Sequence, residues 1–208
     1  MEPTDHNRRA WEEAHRHRQE PVTLPPIVGR TLGDLTEKRV LHLQSATGEA
    51  TAALAELGAV ATGVDPRLEL VDAARERWPS ILWVQGEPQQ LPAELRRGRF
   101  DLVYSGEGVI GRLGSLDGWA RGIAAALRPR GELLVFDDHP VAYVVDGMLR
   151  WRETYFQEGL WRLGQIVSAL ASAGMQIEAL QEYPGGTSRL RHDKRVPSTF
   201  LLYARREG

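Results

Sequence analysis

Residues 40–65 read VLHLQSATGEATAALAELGAVATGVD, and this stretch decides how the other parts of the 208-residue chain are read. Val40, Leu41 and Leu43 make a short apolar strand. A tight turn follows, Gln44-Ser45-Ala46-Thr47-Gly48. Ala50, Ala53, Leu54 and Leu57 then recur at i, i+3, i+4 and i+7, the spacing of a helix with one buried stripe, and Gly58 closes it as a C-cap. Val60–Val64 is a second strand, and it ends on an acid, Asp65. The unit is a nucleotide-binding strand–helix–strand. An anion can sit on the amides at the helix start, and the acid is placed to accept from a ribose diol. The separation from turn to acid is 65 − 44 = 21 residues, against roughly 20 in the dinucleotide-binding pattern.

Outward from this unit the alternation continues. Pro66 begins a helix in the position where proline costs least, with Leu68 and Val71 facing inward. Ile81–Val84 is a third strand and Phe100–Tyr104 a fourth. Leu116, Trp119, Ile123 and Leu127 mark a helix stopped by Pro129 and Gly131, and Glu132–Phe136 is a fifth strand. Short apolar strands alternating with amphipathic helices imply an α/β fold, a doubly wound parallel sheet covered on both faces. The tail differs. Leu163, Ile166, Val167 and Leu170 form a helix capped by Gly174, and strands 176–182 and 199–205 follow with no helix between them. Strands joined without a crossover helix pair antiparallel, so the sheet ends in a C-terminal antiparallel hairpin. Before the core, residues 5–19 read as a polar helix with Trp11 as its one large apolar residue. Residues 21–34, with Pro21, Pro25, Pro26, Gly29 and Gly33, read as a linker. The expected division is an N-terminal helix and linker over 1–34 and an α/β domain over 35–208.

The turn carries one glycine, Gly48, where a nicotinamide or flavin site wants G-x-G-x-x-G. A pyrophosphate needs close backbone approach, so an oxidoreductase is disfavoured. An amino-acid tail with one nucleoside needs less. Here the chain resembles the class I S-adenosylmethionine-dependent methyltransferases, whose first strand usually ends in D/E-x-G-x-G-x-G. The equivalent is His42-x-Gln44-x-Ala46-x-Gly48, in which only the last glycine matches. It looks more like small members whose first strand reads HLQ. The resemblance covers about residues 36–207 and implies a seven-stranded, mostly parallel, Rossmann-like sheet with S-adenosylmethionine as cofactor.

In open α/β sheets the ligand lies beyond the carboxyl ends of the strands. That rule nominates Gln44, Ser45, Ala46, Thr47 and Gly48 after the first strand, and Asp65 and Pro66 after the second. It nominates Gly86, Glu87 and Pro88 after the third, and Ser105, Gly106 and Glu107 after the fourth. The resemblance implies that Glu87 accepts from the adenine amino group and that Ser105 lies under the sulfonium and ribose. Asp65 has a plainer alternative, as the N-cap of the next helix. His42, inside an apolar strand, reads as a hydrogen-bonded core residue. His139, after the fifth strand beside Asp137 and Asp138, is the candidate general base, since an unperturbed imidazole titrates near neutrality; its alternative is a polar loop before a turn-forming proline. Three consecutive residues rarely converge on one ion, so no metal site is expected.

A substrate pocket needs segments around the sheet. The N-terminal helix, with Trp11, His15 and Arg18, could act as a lid. Residues 141–157 carry Tyr143, Met148, Trp151, Tyr155 and Phe156, suited to an apolar or aromatic small molecule. Arg189, Arg191, Lys194 and Arg195 read as a solvated loop. The formal charge is −2 and the pI about 6.3, so nothing advertises nucleic acid or a membrane surface. The chain has no cysteine, which removes disulfides, thiolate metal sites and a cysteine nucleophile. No apolar run reaches the ~20 residues of a membrane span. The expectation is a cytoplasmic enzyme transferring a methyl group to a small molecule, with a homodimer compatible. The alternative is a protein of the same fold that binds S-adenosylmethionine or a nucleoside without transfer.

Overall fold

The computed structural model describes residues 24–106, 108–146, 148–184 and 194–208. The lid residues Trp11, His15 and Arg18, together with Glu107, Arg189 and Arg191, lie outside the described residues. Seven strands form one sheet: β1 (Arg39–Leu43), β2 (Val60–Asp65), β3 (Leu82–Gln85), β4 (Phe100–Gly106), β5 (Leu127–Asp138), β6 (Met175–Tyr183) and β7 (Thr199–Arg206). Their order is β3-β2-β1-β4-β5-β7-β6. β1 to β5 pair in parallel, while β7 is antiparallel to both β5 and β6. The expected mostly parallel sheet with its closing hairpin is therefore observed.

Side chains alternate across the strands and build two cores. On one face Leu41, Leu43, Val103, Leu133 and Val135 meet helices α4 (Leu116–Ala126) and α5 (Leu163–Ser172) through Trp119, Ile123, Ile166 and Leu170. On the other, Val40, Leu102, Tyr104, Leu134 and Phe136 meet Val28 of α1 (Pro26–Leu32) and Leu54 of α2 (Glu49–Glu56). Helix α3 (Leu68–Arg77) covers β3 with Val71 and Ala74 against Trp83.

Three local readings are corrected. Residues 21–34 are not all linker, because Pro26–Leu32 is a helix whose Val28 is fully buried. Its bounding Pro25, Pro26 and Gly33 are start and stop signals around seven residues, too short a run to show a period. Pro66 does not begin its helix. α3 starts at Leu68 behind Arg67, because the Asp65 carboxylate accepts from the Arg67 amide and holds Pro66 in a turn. β5 begins at Leu127, immediately after α4, rather than at Glu132. Leu127 pairs with Phe100 and the register then shifts before Leu102 meets Glu132. Pro129 lies in that irregular stretch, where its missing N–H breaks no ladder bond.

The register sets the site. Leu43 pairs with Val64 and Ser105, Asp65 with Gln85, and Gly106 with Phe136. The loops after the first five strands therefore leave one edge together.

Candidate cofactor site and acceptor edge

Past Leu43 the backbone turns left-handed at alternate residues. Gln44 has φ 53°, Ala46 φ 48° and Gly48 φ 95°. These are the three places where the resembled motif has glycine. Two non-glycine residues thus adopt the conformation that glycine favours, at roughly 1–2 kcal/mol each. Gly48 is tied to its place by space as well. A Cβ there would lie 2.7 Å from the Trp83 ring and 2.8 Å from the Trp78 ring. Gly48 is the N-cap of α2 and offers no side-chain cap, so the first amides of that helix are left for another acceptor. Thr47, exposed, donates its hydroxyl to Glu49.

Asp65 ends β2 fully buried. One carboxylate oxygen accepts from the Ala46 amide at 2.9 Å and the other from the Arg67 amide at 3.0 Å. The Arg67 guanidinium adds two bonds, Nε to Oδ1 at 3.0 Å and Nη2 to Oδ2 at 3.2 Å. The turn and the acid are thus joined directly, across 19 residues of chain. The neighbouring loops are tied to the same point. The Gly86 amide donates to the Asp65 carbonyl at 3.0 Å, and Gln85 Nε2 donates to the Pro66 carbonyl at 3.1 Å. Glu87 is exposed on the following turn and Pro88 is buried beneath it. Ser45 and Ser105 are buried, and neither hydroxyl finds a partner among the described residues. Gly106 admits no side chain, because a Cβ would fall 2.4 Å from the Tyr104 hydroxyl. The edge thus brings together every nominated residue that the structure describes.

Beside it lies a second cluster, reached from β4 and β5. Asp137 is buried and receives three amides: Gly108 at 2.6 Å, Ile110 at 2.9 Å and Asp138 at 2.7 Å. Burial pushes its pKa up, against those bonds. It fixes the loop after β4, and with it Arg112. The Arg112 guanidinium donates through Nε to the Gly108 carbonyl at 2.9 Å and through Nη2 to Gln44 Oε1. Burial lowers its pKa to about 10, and the nearby Arg67 charge adds to this. The Tyr143 hydroxyl donates to Asp138 Oδ2 at 3.4 Å. Burial, with Asp138 and Asp137 close by, holds that phenol well above its ordinary value, so it stays protonated.

His139 has its ring nitrogens engaged elsewhere. Nδ1 accepts from the Val141 amide at 3.1 Å, capping the short turn Pro140–Tyr143, and Nε2 lies 2.8 Å from Glu182 Oε1. Burial lowers its pKa, opposed by Glu182. With Nδ1 accepting, the proton belongs on Nε2, and no lone pair is open for a substrate. The geometry therefore gives His139 a capping role. His42 is a core residue as expected: its Nδ1 shares a 2.7 Å hydrogen bond with Thr51, and its ring stacks on Tyr104 with centroids 5.0 Å apart. Of the aromatic segment, Tyr143 joins the edge, Tyr155 packs on a small separate core with Val144, Val145 and Leu160, and Met148, Trp151 and Phe156 are exposed. Among the described residues no group of three His, Asp or Glu could hold a metal ion, and no helix is long and apolar enough to cross a membrane.

The sequence reading missed Arg67 and Arg112. The Asp-x-Arg spacing was a usable signal for the first, since two residues let a guanidinium fold back on its acid. For Arg112 there was none, because its partner Gln44 is 68 residues away.

Residues 40–131 match the family model described as a methyltransferase domain. An uncharacterized methyltransferase of Synechocystis, sll0829, is 28% identical over 159 residues, 72% of each chain. Among solved structures, an S-adenosylmethionine-dependent methyltransferase from Mesorhizobium loti superposes with TM-score 0.71 at 21% identity, covering 87% of this chain and 96% of that one. A chain from Listeria monocytogenes, described as a putative S-adenosylmethionine-dependent methyltransferase, gives TM-score 0.68 at 18% identity, covering 97% and 98%. The match spans the strands that carry the turn, the acid and the fourth-strand edge, and the whole sheet has the fold of those structures. The chain is thus similar to S-adenosylmethionine-dependent methyltransferases in two ways, a methyltransferase-domain match over residues 40–131 and the fold of its whole sheet.

Proposed function

We propose that the protein transfers the methyl group of S-adenosylmethionine to a small-molecule acceptor. The observation that carries this reading is the left-handed turn 44–48 joined to the buried acid Asp65. The residues present fit the cofactor. Gln44, Ser45, Ala46, Thr47 and Gly48 would hold its amino-acid tail against the start of α2. Asp65, with Pro66 behind it, would take the ribose, while Gly86, Glu87 and Pro88 would border the adenine. Ser105 and Gly106 would lie beneath the reacting centre, where the unpartnered Ser105 hydroxyl has a use. When bound, the cofactor supplies an electrophilic methyl on a good leaving group.

The chain's own work is then alignment, which can supply roughly 7–11 kcal/mol. The acceptor would sit above the ends of β4 and β5. There Tyr143 offers a protonated phenol and Asp138 a carboxylate to orient a hydroxyl or amine. His139 serves this arrangement as a positioning residue, since it caps the turn that carries Tyr143.

Isothermal titration with S-adenosylmethionine and S-adenosylhomocysteine, beside NADH as control, tests the reading. Micromolar binding of the first two, abolished in Asp65→Ala, is the expected result; no binding by the wild type or by a variant whose Asp65 is freed of the Arg67 guanidinium would sink it. A second reading, a protein that binds the cofactor without transfer, is favoured by one feature. The Gln44 side chain is bonded to Arg112 at a motif position where glycine is usual. Binding without release of S-adenosylhomocysteine from any of a broad panel of hydroxyl, amine and thiol acceptors would favour that reading.

A further inference from the structure

An ionised carboxylate has about four lone-pair positions, and in Asp65 all four are filled. Two donors are backbone amides, Ala46 and Arg67; two belong to the Arg67 guanidinium. A ribose diol brings two O–H donors. It can use Asp65 only if two bonds leave, and the two that can leave are those of the guanidinium. The amides are fixed by the turn and by the start of α3. The Arg67 side chain is 36% exposed, whereas that of Asp65 is 0% exposed, so the arginine has solvent to move into. The Arg67 charge, after burial, helps to lower the Arg112 pKa, and this repulsion favours departure outward.

We propose that Arg67 is a built-in competitor for the cofactor's ribose, exchanging its two guanidinium bonds to Asp65 one for one against the two ribose hydroxyls. The proposal rests on the reading that Asp65 receives the ribose. Arg67 satisfies the buried carboxylate while the diol is away and sets affinity for the nucleoside by the strength of the pairing it gives up. It discriminates as well. A ligand with one hydroxyl in place of the diol recovers half of what it displaces.

The test measures S-adenosylhomocysteine binding by titration calorimetry, with melting temperature as the check on folding. Arg67→Met keeps the stem and removes the donors, and it is expected to bind roughly fivefold tighter, the scale of a partly exposed ion pair. Arg67→Lys, which cannot bond bidentately, falls between it and the wild type. 5′-Methylthioadenosine, which lacks the amino-acid tail, shows the same gain, and Arg67→Met adds nothing in an Asp65→Asn background. Unchanged or weaker binding in Arg67→Met overturns the proposal; a loss confined to S-adenosylhomocysteine would assign Arg67 to the tail carboxylate instead. Asp65→Asn binding as well as wild type would overturn the ribose reading itself. If the wild type does not bind, binding that emerges in Arg67→Met supports the competitor role, and none in either sinks both.

Discussion

His42 should make this fold acid-sensitive in a defined window. Its imidazole is 4% exposed, stacked on Tyr104 and bonded to Thr51. Burial lowers its pKa from 6.5 to about 4, partly opposed by the Asp65 charge. The folded state therefore holds the ring neutral where the unfolded chain already takes a proton. Between pH 6.5 and about 4 the unfolded state binds more protons, so stability falls as pH falls. Below the folded pKa both states are protonated and the loss is complete. At about 1.4 kcal/mol per pH unit the loss amounts to about 3 kcal/mol, most of it reached by pH 4. Urea unfolding at a series of pH values measures it. Other groups titrate in the same range, His139 with the same sign, so the quantity to read is the difference from His42→Asn. That variant keeps a hydrogen-bonding group near the Nδ1 position and carries no titrating ring. Its stability should be lower at pH 7 but flatter toward pH 4, by about 3 kcal/mol. An equally steep loss in the variant would refute the account of His42 as a neutral buried core residue.

Gly48→Ala should lose about 2–5 kcal/mol, from left-handed strain and from a Cβ driven into two indole rings, and melt roughly 5–15 °C lower; an unchanged melting temperature would contradict the geometry at Gly48. Ala46→Gly should gain up to about 1 kcal/mol in urea unfolding, since glycine adopts this φ without the Cβ penalty; a clear loss would mean that residue 46 is not left-handed. Asp137→Asn should cost about 1–3 kcal/mol, because one amide oxygen replaces a carboxylate that accepts three backbone N–H groups. Its mark should be faster hydrogen exchange at Gly108 and Ile110, and protection equal to wild type there would reject the clamp.

The strand and helix order was legible because each element states its own period: Ala50 to Leu57 at helical spacing, and β4 and β7 as apolar runs. α1 was hidden because seven residues carry too few repeats to outweigh two prolines and two glycines. At the site, the alternation of strand and loop was enough to nominate residues by position, because every loop after a parallel strand emerges on one edge. It could not say which way a side chain at that edge points, or which partner takes it first. His139 illustrates this. Residue type and location suggested a base, yet the proline after it was also a cap signal, since proline favours the first position of a helix. Arg112 illustrates the other limit: a bond between residues 68 apart leaves no trace in spacing.

The degenerate first motif then has a physical explanation. A glycine can be required by its backbone angle or by the room around it, and the turn separates the two. At residues 44 and 46 only the angle is special. A Gln and an Ala meet it at a tolerable cost, and the Gln side chain is put to use on Arg112. What the turn uses from residue 46 is its amide, held by Asp65, and any residue except proline supplies that. At residue 48 the angle and the room coincide, because Trp78 and Trp83 occupy the volume a Cβ would take. Only there is glycine without a substitute. Loss of the two earlier glycines therefore leaves the course of the turn intact, and their absence is weak evidence against cofactor binding.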